Sequence, residues 1–186
     1  MAKFSLVPFT IANAPKIIIT AEFNQNSDSF FISFSIKNDL QSIDLGDSTP
    51  CKERIIKLWE KTCFELFIKN QNGAYLEFNF SPNFGWNCFF FNQKGEELKE
   101  WETMQMPSTD VLLSIDHFLL VAEIKKIYFP KTFFDRSNNV ANNLEAGITC
   151  VIKDKLGTLS YWALAHCDTR PNFHHFDSFK YKFLSQ

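Results

Sequence analysis

The chain has 186 residues, 45% of them hydrophobic, and a net charge of -2. That length supports one domain, residues 1–186, with a core that needs no disulfide staples. The near-neutral charge gives no basis for a polyanion partner such as nucleic acid.

Phenylalanine reaches 22 while glycine stands at 6, a bias toward residues that favour strands. The five cysteines are widely spaced with no CxxC pair. An odd count without a secretory leader points to free thiols, a reducing compartment and a cytoplasmic address. The first apolar run is broken at Pro8, too early for a signal sequence, and no apolar stretch has the length of a membrane span.

Residues 3–11 are expected as an edge-like strand, its pairing limited by Pro8. Strands over 16–24 and 30–37 follow, separated by a turn cluster, and 38–50 reads as a loop. Residues 52–58 fit either a helical turn or an irregular strand. The clearest alternation comes next. Phe64, Leu66 and Ile68 alternate with Cys63, Glu65, Phe67 and Lys69, and Leu76, Phe78 and Phe80 alternate with Tyr75, Glu77 and Asn79. Period two marks strands with one face in a core. Gln71-Asn72-Gly73 suits a three-residue hairpin loop with Gly73 in the left-handed position. That loop sets Ile68 opposite Leu76, Leu66 opposite Phe78 and Glu65 opposite Asn79, and a slip of one residue would set core against surface. The other face carries Glu65, Glu77 and Asn79 with Phe67 among them, and is either a solvated outer face or a binding platform.

A turn at 81–85 leads into a strand over Trp86–Phe91, and 92–107 is a long polar connection holding Trp101, Met104 and Met106. A hairpin pairs 111–115 with 118–127 across Asp116-His117, placing Val111, Leu113, Ile115, Phe118, Leu120, Ala122 and Ile124 on one face. Residues 128–143 form a loop with Pro130 and an Asn-rich run. A further hairpin joins 145–152 to 158–165, 166–177 is a loop, and Phe179, Tyr181 and Phe183 alternate along a last strand. About ten short strands without a long helix predict an all-β sandwich or barrel.

The chain has no Gly-rich phosphate loop, GxSxG or HExxH. The loop after the last hairpin gathers His166, His174, His175, Arg170, Asp168 and Asp177. Adjacent histidines point apart in an extended chain, so hydrogen bonding across a structured loop is the simpler reading than a metal site. Glu65 and Glu77 could form a glycosidase pair only if they flanked a bond in a cleft, and carboxylates on adjacent strands come close without catalysis. No catalytic constellation emerges, so a non-enzymatic protein without a cofactor is expected. A hydrolase built on the His-rich 166–175 loop is the competing reading. Trp59 precedes the strand bearing Glu65, Trp86 follows the turn at Asn83, and Trp162 shares parity with His166. Flat rings beside carboxylates and amides suit sugars, whose C–H faces stack on rings while polar groups hold the hydroxyls.

Two blocks carry a resemblance. Leu58-Trp59-Glu60-Lys61-Thr62-Cys63-Phe64-Glu65-Leu66-Phe67, with Leu76-Glu77-Phe78-Asn79-Phe80-Ser81-Pro82 and Trp86, resembles the DOMON-like group related to family 9 carbohydrate-binding modules. Ser160-Tyr161-Trp162-Ala163-Leu164-Ala165-His166 and Pro171-Asn172-Phe173-His174 resemble the closing motif of that group. The resemblance implies an immunoglobulin-like antiparallel β-sandwich that binds a small sugar or sugar-derived ligand. It implies that Trp59 and Glu65, at the family spacing, contact the sugar, with Trp162 and Phe173 both candidates for a second aromatic. Lys94-Gly95 stands where the group often carries a Tyr-Arg pair. Haem-binding relatives imply haem as an alternative ligand, although Met104, Met106 and His166 match no haem motif. The expected site is Trp59, Glu65, Asn83, Trp86, Trp162, His166, Arg170, Phe173 and His174, where the 166–175 loop meets the Trp59 end of the sandwich.

Overall fold

The structure, a computed structural model, describes residues 1–12, 14–47, 49–134 and 142–185. In chain order the strands are β1 (Ala2–Ser5), β2 (Val7–Pro8), β3 (Ile18–Gln25), β4 (Ser29–Lys37), β5 (Cys63–Asn70), β6 (Tyr75–Phe80), β7 (Trp86–Phe91), β8 (Ser108–Leu113), β9 (His117–Lys125), β10 (Asn143–Lys153), β11 (Leu159–Ala163) and β12 (Tyr181–Leu184). They form two antiparallel sheets: β1-β3-β4-β9-β8, and β2-β11-β10-β5-β6-β7 with β12 also on β10. This is the expected β-sandwich. No described helix is long and apolar enough to cross a membrane.

The central hairpin has the register that the alternation predicts. Glu65 pairs with Asn79, Leu66 with Phe78 and Ile68 with Leu76. Asn70 N donates to Ala74 O at 2.9 Å, Gly73 has φ +89°, and the Asn70 side chain accepts from the amides of Asn72 and Ala74. Phe64, Leu66, Ile68, Leu76, Phe78 and Phe80 are all buried between the sheets. Across the interface the Phe64 ring stacks on Phe118 at 5.2 Å and meets Phe34 at 5.1 Å.

Several local expectations are corrected. The first segment is two strands, because the chain crosses at Leu6 from the edge of one sheet (β1) to that of the other (β2). The β8–β9 turn is centred on Ile115-Asp116: Leu113 pairs with Phe118, and Ser114 N bonds His117 O. Parity survives that two-residue shift, but β8 is an edge strand, so Leu113 and Ile115 are exposed while Phe118, Leu120, Ala122 and Ile124 are buried. Residues 52–58 combine a parallel bridge from Arg54 to Trp86 with entry into a single 3-10 turn at Leu58–Glu60. Short 3-10 turns also occupy Leu40–Ser42, Lys126–Tyr128 and Lys131–Phe133. Much of the Asn-rich run lies outside the described residues.

Truncating Phe64 to Ala leaves a cavity at the centre of the interface and is expected to cost about 3–5 kcal/mol. Leu113→Ser, on the exposed edge, should stay within about 0.5 kcal/mol of wild type. Chemical denaturation of both variants checks this, and comparable losses would contradict the core assignment.

Candidate functional site

Both faces of the second sheet are covered. Its inner face meets the first sheet, and its outer face lies beneath the chain from His166 to Phe179. On that outer face Asn87, Asn79, Glu65 and Thr149 form one row across four strands, and Phe89, Glu77, Phe67 and Gly147 form the next. Phe179 comes down at the end of the second row. A Cβ at position 147 would stand 2.6 Å from the Phe179 ring, so only glycine lets the ring lie on the strand. Phe67, Tyr75, Phe89, Phe91 and Phe179 make a second apolar cluster, against which Trp59, Phe173 and Phe176 pack. Neither a solvated outer face nor an open platform is what the structure holds: Glu65, Glu77 and Asn79 are buried.

Where this cover is incomplete it leaves a hollow of about 230 Å³. Glu65, Phe67 and Glu77 form the floor. Trp59 enters from the β7 side, its edge on Phe89 at 5.9 Å, and Phe173 from the β11 side, 6.1 Å from Tyr161. The two half-buried rings therefore bracket the carboxylates. The turn that carries Trp59 is set by Lys57, whose φ of +63° swings the chain out of the preceding segment. His174 closes the wall above Glu77.

Thr149 Oγ1 donates to Glu65 Oε2 at 2.8 Å, Asn79 Nδ2 donates to Glu77 Oε1 at 2.7 Å, and Cys63 Sγ donates to Asn79 Oδ1 at 3.3 Å. Glu77 Oε2 is buried without a hydrogen-bond partner; His174 Nε2 lies 3.5 Å away, and His174 Nδ1 is bonded to Tyr75 OH at 2.8 Å. Burial pushes both carboxyls well above the usual glutamate value, and the charge on Glu77 raises Glu65 further. The bonds from Thr149 and Asn79 favour the ionised forms and oppose that rise. Burial, aided by the charge of Lys94, lowers His174.

Of the expected site residues, Trp59, Glu65, Phe173 and His174 come together here. Trp86 and Trp162 do not: both lie in the core between the sheets, with the Arg54 guanidinium 4.3 Å over Trp86 and the Trp162 indole donating to Ser160 Oγ. Alternation explains the correction, since Trp162 pairs with inward-facing Cys150 and it is Tyr161 that faces outward. Asn83 lines a different hollow beside Ser81, which donates to its side chain at 2.6 Å. His166 is bonded to the Val7 carbonyl at 3.0 Å, with its ring centroid 6.4 Å from that of Phe173. Arg170 is exposed outside the hollow. Glu77, Tyr161 and Asn172 line the hollow without having been among the expected site residues. Glu77 shares the outward parity of Glu65 in the sequence, and that signal was sufficient to include it.

No known family's sequence pattern matches the chain, and no curated protein matches it. Solved structures do. A candidate carbohydrate-binding protein of Bacteroides uniformis ATCC 8492 superposes with a TM-score of 0.74 at 15% identity, covering 96% of this chain and 84% of its own. A family 9 carbohydrate-binding module of Caldicellulosiruptor kristjanssonii in complex with glucose gives 0.51 at 9% identity, over 81% of this chain and 69% of that one. The same organism's family 9 module in complex with cellotriose gives 0.53 at 9% identity, over 86% and 71%. At these identities the likeness is one of fold.

The buried carboxylates make a pH prediction whose sign is fixed. The unfolded chain releases these protons near the ordinary glutamate value of about 4.3, and the folded chain releases them at higher pH. The native state therefore binds more protons across that window, and the pair's contribution to stability falls as pH rises from there toward neutrality. Glu65→Gln removes the cost, so its melting temperature relative to wild type should climb with pH over that range. A difference independent of pH, measured in thermal melts of both proteins, would contradict it.

Proposed function

We propose that this chain, acting as one domain over residues 1–186, is a non-catalytic binder of a small carbohydrate or sugar-derived ligand. The ligand sits in the hollow between Trp59 and Phe173, over Glu65 and Glu77. The observation that carries this reading is two half-buried aromatic rings bracketing hydrogen-bonding carboxylates that the fold keeps out of water at a cost. Rings of this kind cover a sugar's C–H surface, and carboxylate oxygens accept its hydroxyls. The sugar ligands of the structurally similar modules support the same reading.

The acid pair does not argue for hydrolysis. Glu65 and Glu77 rise from adjacent strands of one floor, whereas glycoside cleavage needs carboxyls on opposite sides of the bond. The histidines of the 166–175 loop also diverge: His166 goes to the Val7 carbonyl, and His174 to Tyr75. Met104 is held in the core between the sheets.

Titration with a panel of mono- and oligosaccharides, followed by calorimetry, tests the proposal. Trp59→Ala should weaken binding at least about tenfold, since the ring contact is lost. Because the ring is half-buried, the variant should lose less than about 2 kcal/mol of stability. No sugar binding by wild type, together with a loss of about 3–5 kcal/mol in the variant, would leave Trp59 as a structural residue only.

A further inference from the structure

The floor of the hollow carries two carboxylates and no cation. Neither lysine nor arginine lines it, and Lys94, whose charge His174 feels, stands outside it. Arg54 spends its guanidinium on Asn87 Oδ1, the Trp101 and Met104 carbonyls and the Trp86 ring. The half-buried Glu145, by contrast, has Lys69 at 2.7 Å and Lys182 at 3.4 Å. Among the described residues Glu65 and Glu77, each at most 4% exposed, have neither lysine nor arginine in an ion pair, and the basic group beside them is the His174 imidazole, 3.5 Å from Glu77 Oε2.

The remaining groups that face the pair supply no positive charge. Cys63 and Tyr75, on β5 and β6, are raised by burial and keep their protons. His174, on the covering loop, is lowered by burial and so stays neutral at neutral pH. Tyr161, on β11, offers a hydroxyl. Glu65 Oε2 and Glu77 Oε1 each have one neutral donor, while Glu77 Oε2 has none and borders the hollow. Charged acceptors under aromatic walls form a cation site: the rings attract a cation through their faces, and the carboxylates take its N–H bonds.

We infer that the ligand brings the missing charge, a protonated amine lodged over Glu65 and Glu77 beneath Trp59 and Phe173. Resting on the carbohydrate reading above, this makes the ligand an amino sugar. A neutral sugar satisfies the ring faces but leaves the two acids in conflict, so one must hold a proton. An ammonium group lets both ionise and gives Glu77 Oε2 the donor it lacks.

The test compares glucosamine, N-acetylglucosamine, glucose and ethylammonium by calorimetry at neutral pH and low salt. Glucosamine should bind at least about tenfold more tightly than glucose or N-acetylglucosamine, as expected for one charge-assisted hydrogen bond. Added salt should shrink that ratio. Glu77→Gln should bring the ratio close to one while melting no lower than wild type, and Glu65→Gln serves as the second variant if the first does not fold. Glucose or N-acetylglucosamine binding as tightly as glucosamine overturns the inference and leaves the carbohydrate reading standing. Ethylammonium binding without any sugar binding supports the charge inference and sinks the carbohydrate reading. Failure of all four compounds overturns both.

Discussion

Along β5 every side chain from Cys63 to Ile68 enters one of two covered environments. Phe64, Leu66 and Ile68 go toward the five-stranded sheet, and Cys63, Glu65 and Phe67 go toward the segment that folds back from β11. A strand buried on both faces has no tolerant register, since any slip exchanges the two sets. The hairpin to β6 and the long pairing with β10 hold that register from either side. The position of Glu65 beneath the covering segment is therefore set by the same packing that places Phe64 in the core.

That arrangement carries a cost which the rest of the molecule offsets. Burying a carboxylate without a cation costs on the order of several kcal/mol, as for one ion of a buried pair. Here the carboxyls relieve part of that cost by holding their protons to higher pH, and each accepts one hydrogen bond, from Thr149 and Asn79 respectively. The phenylalanine-rich interface between the sheets supplies the surplus that makes such a floor sustainable. Its rings interlock through several close contacts, among them Phe23 with Phe183 and Phe78 with Phe129. Buried acids with raised pKa values cluster at functional sites, and this is the sense in which the floor supports the proposed ligand site.

Much of this was legible in the chain, and where it was not the reason is physical. Strand β5, strand β6 and their register follow from alternation, because an isolated hairpin encodes its own pairing. Whether its second face was wet could not follow from the same pattern. Glu65, Glu77 and Asn79 look like solvent-facing residues in sequence, and what buries them is a segment about a hundred residues later in the chain, a distance the local pattern does not encode. The Trp162 assignment failed for a different reason. Its shared parity with His166 does not say which face either side chain takes, and register sets Trp162 with inward-facing Cys150 and turns Tyr161 outward. In β8 the alternation was right, but edge position decides exposure, and Leu113 and Ile115 have no layer above them.

His174 joins the floor of the hollow to its wall. Its Nδ1 is held by the Tyr75 hydroxyl, its Nε2 faces the unpartnered oxygen of Glu77, and its ring lies edge-on to Phe67 and Phe91. The covering loop is thus anchored to the floor through His174. The ring that closes the hollow stands directly over the acid that the proposed ligand would meet, and its place there is fixed by Tyr75, Phe67 and Phe91 rather than by that acid.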